Sequence, residues 1–209
     1  YSGKVDPRST LHLGVFLDGR CGGAIQFGPP IDKRRTLPVV RDTPWNSMVE
    51  LNRMALADWL PRNGESRVLS VALRLLRREY PHLMWVQTYA DATQCGDGAI
   101  YRATGWHLLQ VKPNSSMWRM PDGEVRCQLI FSPGFGSGSG TDKRRYGHAG
   151  SEPAVSFLRR IGAYPLPGFQ LRYIYFLDPA ARDRLTVPIL PYSAIDAAVS
   201  LAGGQTLIA

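Results

Sequence analysis

Residues 47–90 contain SMVELNRMALADWL (47–60), PRNGE (61–65), SRVLSVALRLLRREY (66–80) and LMWVQTYA (83–90), and this run decides the fold. The first block reads as a long strand that stops at Pro61. In the third, Val68, Val71, Ala72, Leu75 and Leu76 recur at helical spacing, with Arg67, Arg74, Arg77 and Arg78 on the polar side. That periodicity predicts an amphipathic helix over 66–80, ended by Pro81. The last block reads as an apolar strand. Strand, tight loop, helix and strand form a βαβ-type unit whose two strands lie parallel.

Upstream, LHLGVFLD (11–18) and CGGAIQFG (21–28) read as a hairpin joined at Gly19-Arg20. Residues 29–46, with four prolines and the triplet Lys33-Arg34-Arg35, read as a surface loop. Downstream, DATQCGDGAIYRATGW (91–106) predicts a short helix over 97–104 capped by Gly105, then a strand WHLLQVK (106–112). A Pro-Asp-Gly turn at 121–123 leads into a strand at 124–131. The glycine-rich stretch 132–150, with Lys143-Arg144-Arg145, reads as a second mobile basic loop. A helix near 153–161 and a strand FQLRYIYFLD (169–178) follow. Antiparallel hairpins with one parallel unit make the expected class α+β with a mixed sheet, in a single domain over 1–209.

The 209 residues are 44% hydrophobic, enough for one sizeable core. A net charge of +8 favours a polyanionic partner such as nucleic acid, against the alternative of a solvated cationic surface. Cys21, Cys95 and Cys127 are odd in number and far apart, as in a reduced cytoplasmic protein. No apolar run reaches the roughly 20 residues of a membrane span, and no signal-like start is visible. Because the chain opens at Tyr1, a few preceding residues are expected.

Walker and GxGxxG patterns are absent, as are CxxC, HExxH and GxSxG. His12, His82, His107 and His148 show no paired metal spacing, so zinc has no support and an iron site would have to assemble across the fold. In PRNGES a helix N-terminus can hold phosphate, although Asn63 or Ser66 equally suits ordinary capping. Acid–base candidates are Glu50, Asp58, Asp91 and Tyr101. Each also has a structural reading, as a solvated strand residue, a turn former or a core aromatic.

Taken together, the βαβ unit followed by IYRATGW (100–106) resembles the GNAT acyltransferase superfamily. The resemblance implies an acyl-CoA such as acetyl-CoA on the strand–loop–helix, a cleft where the next strand splays away, and Tyr101 protonating the departing thiolate. PRNGES departs from the usual pyrophosphate loop by placing Ser66 where a small residue stands. More specifically, VELNRMALADWLPRNGESRVLSVALRLL, VQTYADATQCGDGAIYRATGW and YIYFLDPAARDRLTVPILPY resemble the Mom family. Members of that family convert adenine in DNA to N6-carbamoylmethyladenine and so shield phage DNA from restriction in the bacterial cytoplasm.

The resemblance implies that Arg53 and Ser66, with Asn63 and Gly64, line the donor side, and that Asp91 and Tyr101, with Arg53, serve the transfer. Asn52, Glu50 and Glu65 rank behind them. Double-stranded DNA is the implied partner, held by Lys33, Arg34, Arg35, Lys143, Arg144 and Arg145, with Tyr89, Trp45 and Trp106 as stacking candidates for an extruded base. The donor itself stays open, because acetyl transfer alone does not make a carbamoylmethyl group. The competing expectations are a GNAT-fold N-acyltransferase acting on a protein or small-molecule amine, and a basic DNA-binding module without activity.

Overall fold

The computed structural model describes residues 6–92, 96–114, 116–132 and 139–201; Cys95 and positions 133–138 of the expected glycine loop lie outside them. Strands β1 (Leu11–Leu17) and β2 (Arg20–Gly28) form the expected antiparallel hairpin. Its turn is Asp18-Gly19, at φ 50° and 77°, one residue earlier than expected. A two-residue turn that follows the strand twist needs positive φ at both positions, and Asp-Gly supplies it.

The segment 29–46 is not a plain loop. It holds α1 (Lys33–Thr36), capped by the Asp32 side chain accepting from the Arg35 N–H, and a 3-10 turn at Leu37–Val39 that Pro38 opens. Backbone bonds of 2.9 Å, Arg41 N–H to the Arg184 carbonyl and Thr186 N–H to the Val39 carbonyl, pin it to the chain's C-terminal part.

Strand β3 (Met48–Leu56) is shorter than the expected 47–60, because Ala57–Leu60 already turns. Helix α2 (Gly64–Glu79) starts directly after Asn63, which sits at φ 63°. Its buried stripe is Leu69, Ala72, Leu73 and Leu76, whereas Val71 is exposed. The period was right and the face is rotated by about one position. Strand β4 (Trp85–Asp91) and helix α3 (Ala99–Ala103) follow, the helix shortened to the turn between left-handed Gly98 and Gly105.

After β5 (His107–Pro113) come β6 (Met117–Arg119) and β7 (Val125–Cys127). Beyond Cys127 the expected strand becomes a 3-10 turn, Gln128–Phe131, which buries Phe131. The second basic segment is also helical, α4 (Ser139–Tyr146), where a loop was expected. Then come α5 (Ala154–Arg160), β8 (Tyr164–Pro165), β9 (Phe169–Phe176) and, after a 3-10 turn at Pro179–Arg184, α6 (Ser193–Leu201).

The main sheet runs β1-β2-β3-β4-β9-β5, with β3–β4 its parallel pair, and β7-β6-β8 forms a second small sheet. The α+β mixed-sheet class is therefore as expected. Strand alternation sends the two faces of the main sheet into different cores. Val86, Leu108, Leu171 and Tyr173 pack with Leu69, Leu73 and Leu76 of α2, while their neighbours Trp85, Leu109 and Ile174 pack with Val39, Val40 and Met48. A third cluster, Trp118, Met120, Phe131, Phe157 and Leu158, supports the small sheet.

Candidate active site

The parallel ladder between β3 and β4 covers only Met48–Trp85, Val49–Val86 and Glu50–Gln87. Each strand then stays with its outer neighbour, β3 with β2 as far as Leu56–Gly23 and β4 with β9 as far as Asp91–Gln170. The gap therefore opens between β3 and β4. At its vertex the Thr88 hydroxyl donates to the Leu51 carbonyl at 3.2 Å, taking over from the backbone ladder.

Tyr101 reaches this vertex from the α2 side. It is 8% exposed, and its hydroxyl lies 3.5 Å from Thr88 Oγ1. Its ring packs edge-on to Trp106 and tilted on Tyr173, with centroids 5.4 and 5.2 Å apart. Tyr173 in turn donates to the Asp97 carbonyl at 2.6 Å and lies so close to Gly98 that a Cβ there would meet its ring at 2.8 Å. Gly98, at φ 73°, thus lets the chain fold over Tyr173 and aim α3.

Beside α3 is a cavity of about 360 Å³ lined by residues that include Leu56, Asn63, Gly64, Ser66 and Ile100. The Asn63 side chain makes no capping bond, and Ser66 Oγ bonds back to the Asn63 carbonyl at 3.0 Å. First-turn N–H groups at the positive end of a 16-residue helix suit an anionic phosphate chain. The residues present therefore fit an acyl-CoA-type donor, and Asn63, Gly64 and Ser66 all line the cavity. Arg53 is not among the lining residues, contrary to its expected donor-side role.

A β-bulge explains this. The β2–β3 register passes from Gln26–Arg53 to Phe27–Leu51, leaving Asn52 as the extra residue. Cross-strand partners share a face, so Arg53 joins Gln26 on the face opposite α2, where Glu50 also lies.

That opposite face is polar. Glu50, 6% exposed, accepts from Gln87 Nε2 at 2.8 Å and Asn52 Nδ2 at 3.2 Å, with the Arg8 guanidinium 3.5 Å away. Burial raises its carboxyl pKa above the ordinary value, while these three partners act in the other direction. Gln87 Oε1 accepts from Arg172 at 2.6 Å. Burial also pushes Asp6 up, but Arg8, bonded at 2.7 Å, and the nearby charge of Arg53 hold it below the usual carboxylate range.

Asp91, at the end of β4 on this same face, accepts from Asn114 Nδ2 at 3.1 Å. It therefore lies across β4 from Tyr101 rather than beside it. Arg8, Gln87, Asn114 and Arg172 were not anticipated, since each joins the site through long-range pairing with no local motif.

The two basic triplets differ. Lys33 lies over the Trp45 ring at 4.7 Å, and Arg35 pairs with Asp32 at 3.3 Å on the surface. In the second triplet, Arg145 is held by Asp122 and Glu124 at 2.9 and 3.0 Å, and Lys143 donates to the Ser132 carbonyl at 3.0 Å, leaving Arg144 as the outward-facing member. Trp106 is fully buried and cannot stack on a base; Trp45 and Tyr89 are exposed. Among the described residues, no group of three or more His, Cys, Asp and Glu is arranged to hold a metal, and no helix is long and apolar enough to cross a membrane.

The Mom protein family model matches residues 1–194. The chain is 34% identical over 190 residues to the methylcarbamoylase Mom of Escherichia phage Mu, covering 90% of this chain and 73% of that protein. Among solved structures, the ribosomal-protein-S18-alanine N-acetyltransferase of Escherichia coli matches with 9% identity and a TM-score of 0.43, over 83% of this chain and 72% of that one. A tandem GNAT protein from the clavulanic acid biosynthesis pathway matches with 10% identity and a TM-score of 0.46, over 84% and 85%. Matched along nearly its whole length and about one-third identical to a curated relative, the chain belongs to the Mom protein family.

Proposed function

We propose that the protein, acting as a single catalytic unit over residues 1–209, is a transferase that converts adenine in double-stranded DNA to N6-carbamoylmethyladenine in the cytoplasm of a bacterial host. The observation that carries this reading is the fork between β3 and β4. A cavity suited to an anionic donor opens on one side of it, and a buried carboxylate held by Gln87, Asn52 and Arg8 faces the other. Family membership and the relative named a methylcarbamoylase supply the substrate class.

The chemistry asks for this arrangement. The N6 lone pair of adenine is delocalised into the ring, so the amine must be positioned and deprotonated as it attacks. Asp91 accepts that proton, Tyr101 donates one to the leaving group from the vertex, and Glu50 and Arg53 order the acceptor face. Asn63, Gly64 and Ser66 would hold the phosphates of an acyl-CoA, which when bound supplies an activated carbon with a thiolate leaving group. Acyl transfer would bond N6 to a carbonyl carbon, whereas the product bonds it to a methylene and carries an amide nitrogen. A further activation, a rearrangement or a different donor therefore has to complete the carbamoylmethyl group. Lys33, Arg34 and Arg35 bind backbone phosphates, with Arg144 and its neighbours in a lesser role.

Expression in cells, with nucleosides and protein hydrolysates analysed together, separates the readings. Modified deoxyadenosine supports the proposal. Unmodified DNA with newly acylated protein or small-molecule amines would replace it by an N-acyltransferase, and neither change by a DNA-binding module.

A further inference from the structure

Tyr89 is a partly exposed aromatic ring with a guanidinium over it. It stands on β4 two positions past the last residue of the parallel ladder, so on the β3 side its strand has no partner. On the other side its cross-strand partner is Arg172, whose guanidinium carbon lies 5.8 Å from the ring centroid. Arg172 is itself fixed by two bonds to Gln87 Oε1, at 2.6 and 3.2 Å. The residue is 38% exposed, and burial raises its hydroxyl pKa above the ordinary tyrosine value, with the charge of Arg172 acting in the other direction.

A fixed, half-open ring flanked by a guanidinium, at the mouth of a gap, suits a flat heteroaromatic group. It suits an aliphatic chain poorly, because the rim is polar, and a peptide amine poorly, because that amine offers no π-face. Asp91 follows two residues later on the same face and Glu50 lies at the vertex, so a base lying on Tyr89 has carboxylates on either side of it. Trp106 is buried in the core, and Trp45, exposed with Lys33 over its ring, sits on the separate 29–46 segment rather than on a strand of the fork.

We propose that Tyr89, braced by Arg172, is the stacking platform for the adenine extruded from DNA, placing its amine toward the carboxylates of the acceptor face. This rests on the DNA-modification reading above. The base itself is what the site would hold, because stacking accepts any purine face and the polar rim then limits its orientation.

Binding of the purified protein to a single-stranded oligo(dA) and to an abasic oligonucleotide with the same number of phosphates isolates the contribution of the base. Wild type is expected to favour oligo(dA) by about tenfold. Tyr89→Leu should bring that preference close to unity while leaving abasic binding and the melting midpoint in place. Tyr89→Trp should recover most of the preference and show a fluorescence quench, beyond that of wild type, with oligo(dA) alone. Should Tyr89→Leu misfold, the Tyr89→Trp quench still decides: its absence overturns the proposal. A wild-type preference that survives in folded Tyr89→Leu overturns stacking on Tyr89 and leaves DNA modification standing. Failure of wild type to bind either strand overturns the proposal, and failure to bind duplex DNA as well removes the DNA reading.

Discussion

Glu50 shows how a single side chain carries both stability and chemistry. Its buried carboxyl has a raised pKa, so folding favours the protonated form. That stabilising contribution is fully present below the ordinary glutamate range and is lost as pH rises through the raised value. Wild type should therefore lose stability relative to Glu50→Gln as pH increases from acid toward neutral; a pH-independent difference in unfolding midpoints would contradict the assignment. At the vertex, Tyr101→Phe removes the proposed acid but keeps the ring contacts with Trp106 and Tyr173. Modification is expected to fall by roughly a hundredfold or more with little change in melting. Tyr101 and Asp91 could be named from the sequence because they stand in an uninterrupted local string. Arg53 shows the limit: strict alternation from Leu51 puts it on the α2 face, and one extra residue in the pairing, Asn52, turns it over.

At the scale of elements, α2 was legible because the 16 residues of one helix, more than four turns, repeat a single pattern, and only the exact buried face needed the sheet to define it. The β1–β2 hairpin was legible for a similar reason. The small sheet and α4 were not, since strands of two or three residues carry no period and a glycine-rich basic stretch has no apolar stripe. Helix α3 depends on a backbone device that only the fold explains, the left-handed Gly98 packed on Tyr173. Gly98→Ala should destabilise the protein by about 1–2 kcal/mol for the left-handed backbone alone, read as a lowered denaturant midpoint. A midpoint equal to that of wild type would show that α3 is aimed in some other way.

For the whole molecule, the proposed function divides its two tasks across the sheet, giving the cavity beside α3 to the donor and the polar field on the opposite face to the acceptor, on either side of the point where β3 and β4 part. The expectation of two basic clamps rested on the resemblance and on the two triplets, which count charges without their partners. Arg145 and Lys143 are engaged within the protein, whereas in α1 Arg34 and Arg35 are exposed, Arg35 pairing only with Asp32 at the surface, and the half-buried Lys33 lies over Trp45. Alanine at 33–35 should reduce the slope of log affinity against log salt for duplex DNA by up to about 2.7, and alanine at 143–145 by about 0.9. Equal reductions would mean that the ion pairs around Arg145 open on DNA. The central claim, that this fork alkylates adenine in DNA, is tested most directly by mass spectrometry of nucleosides from cells expressing wild type or Tyr101→Phe. The account predicts N6-carbamoylmethyl-2'-deoxyadenosine in the first and its near-complete loss in the second. Unmodified adenine in the presence of abundant, folded wild-type protein would contradict it.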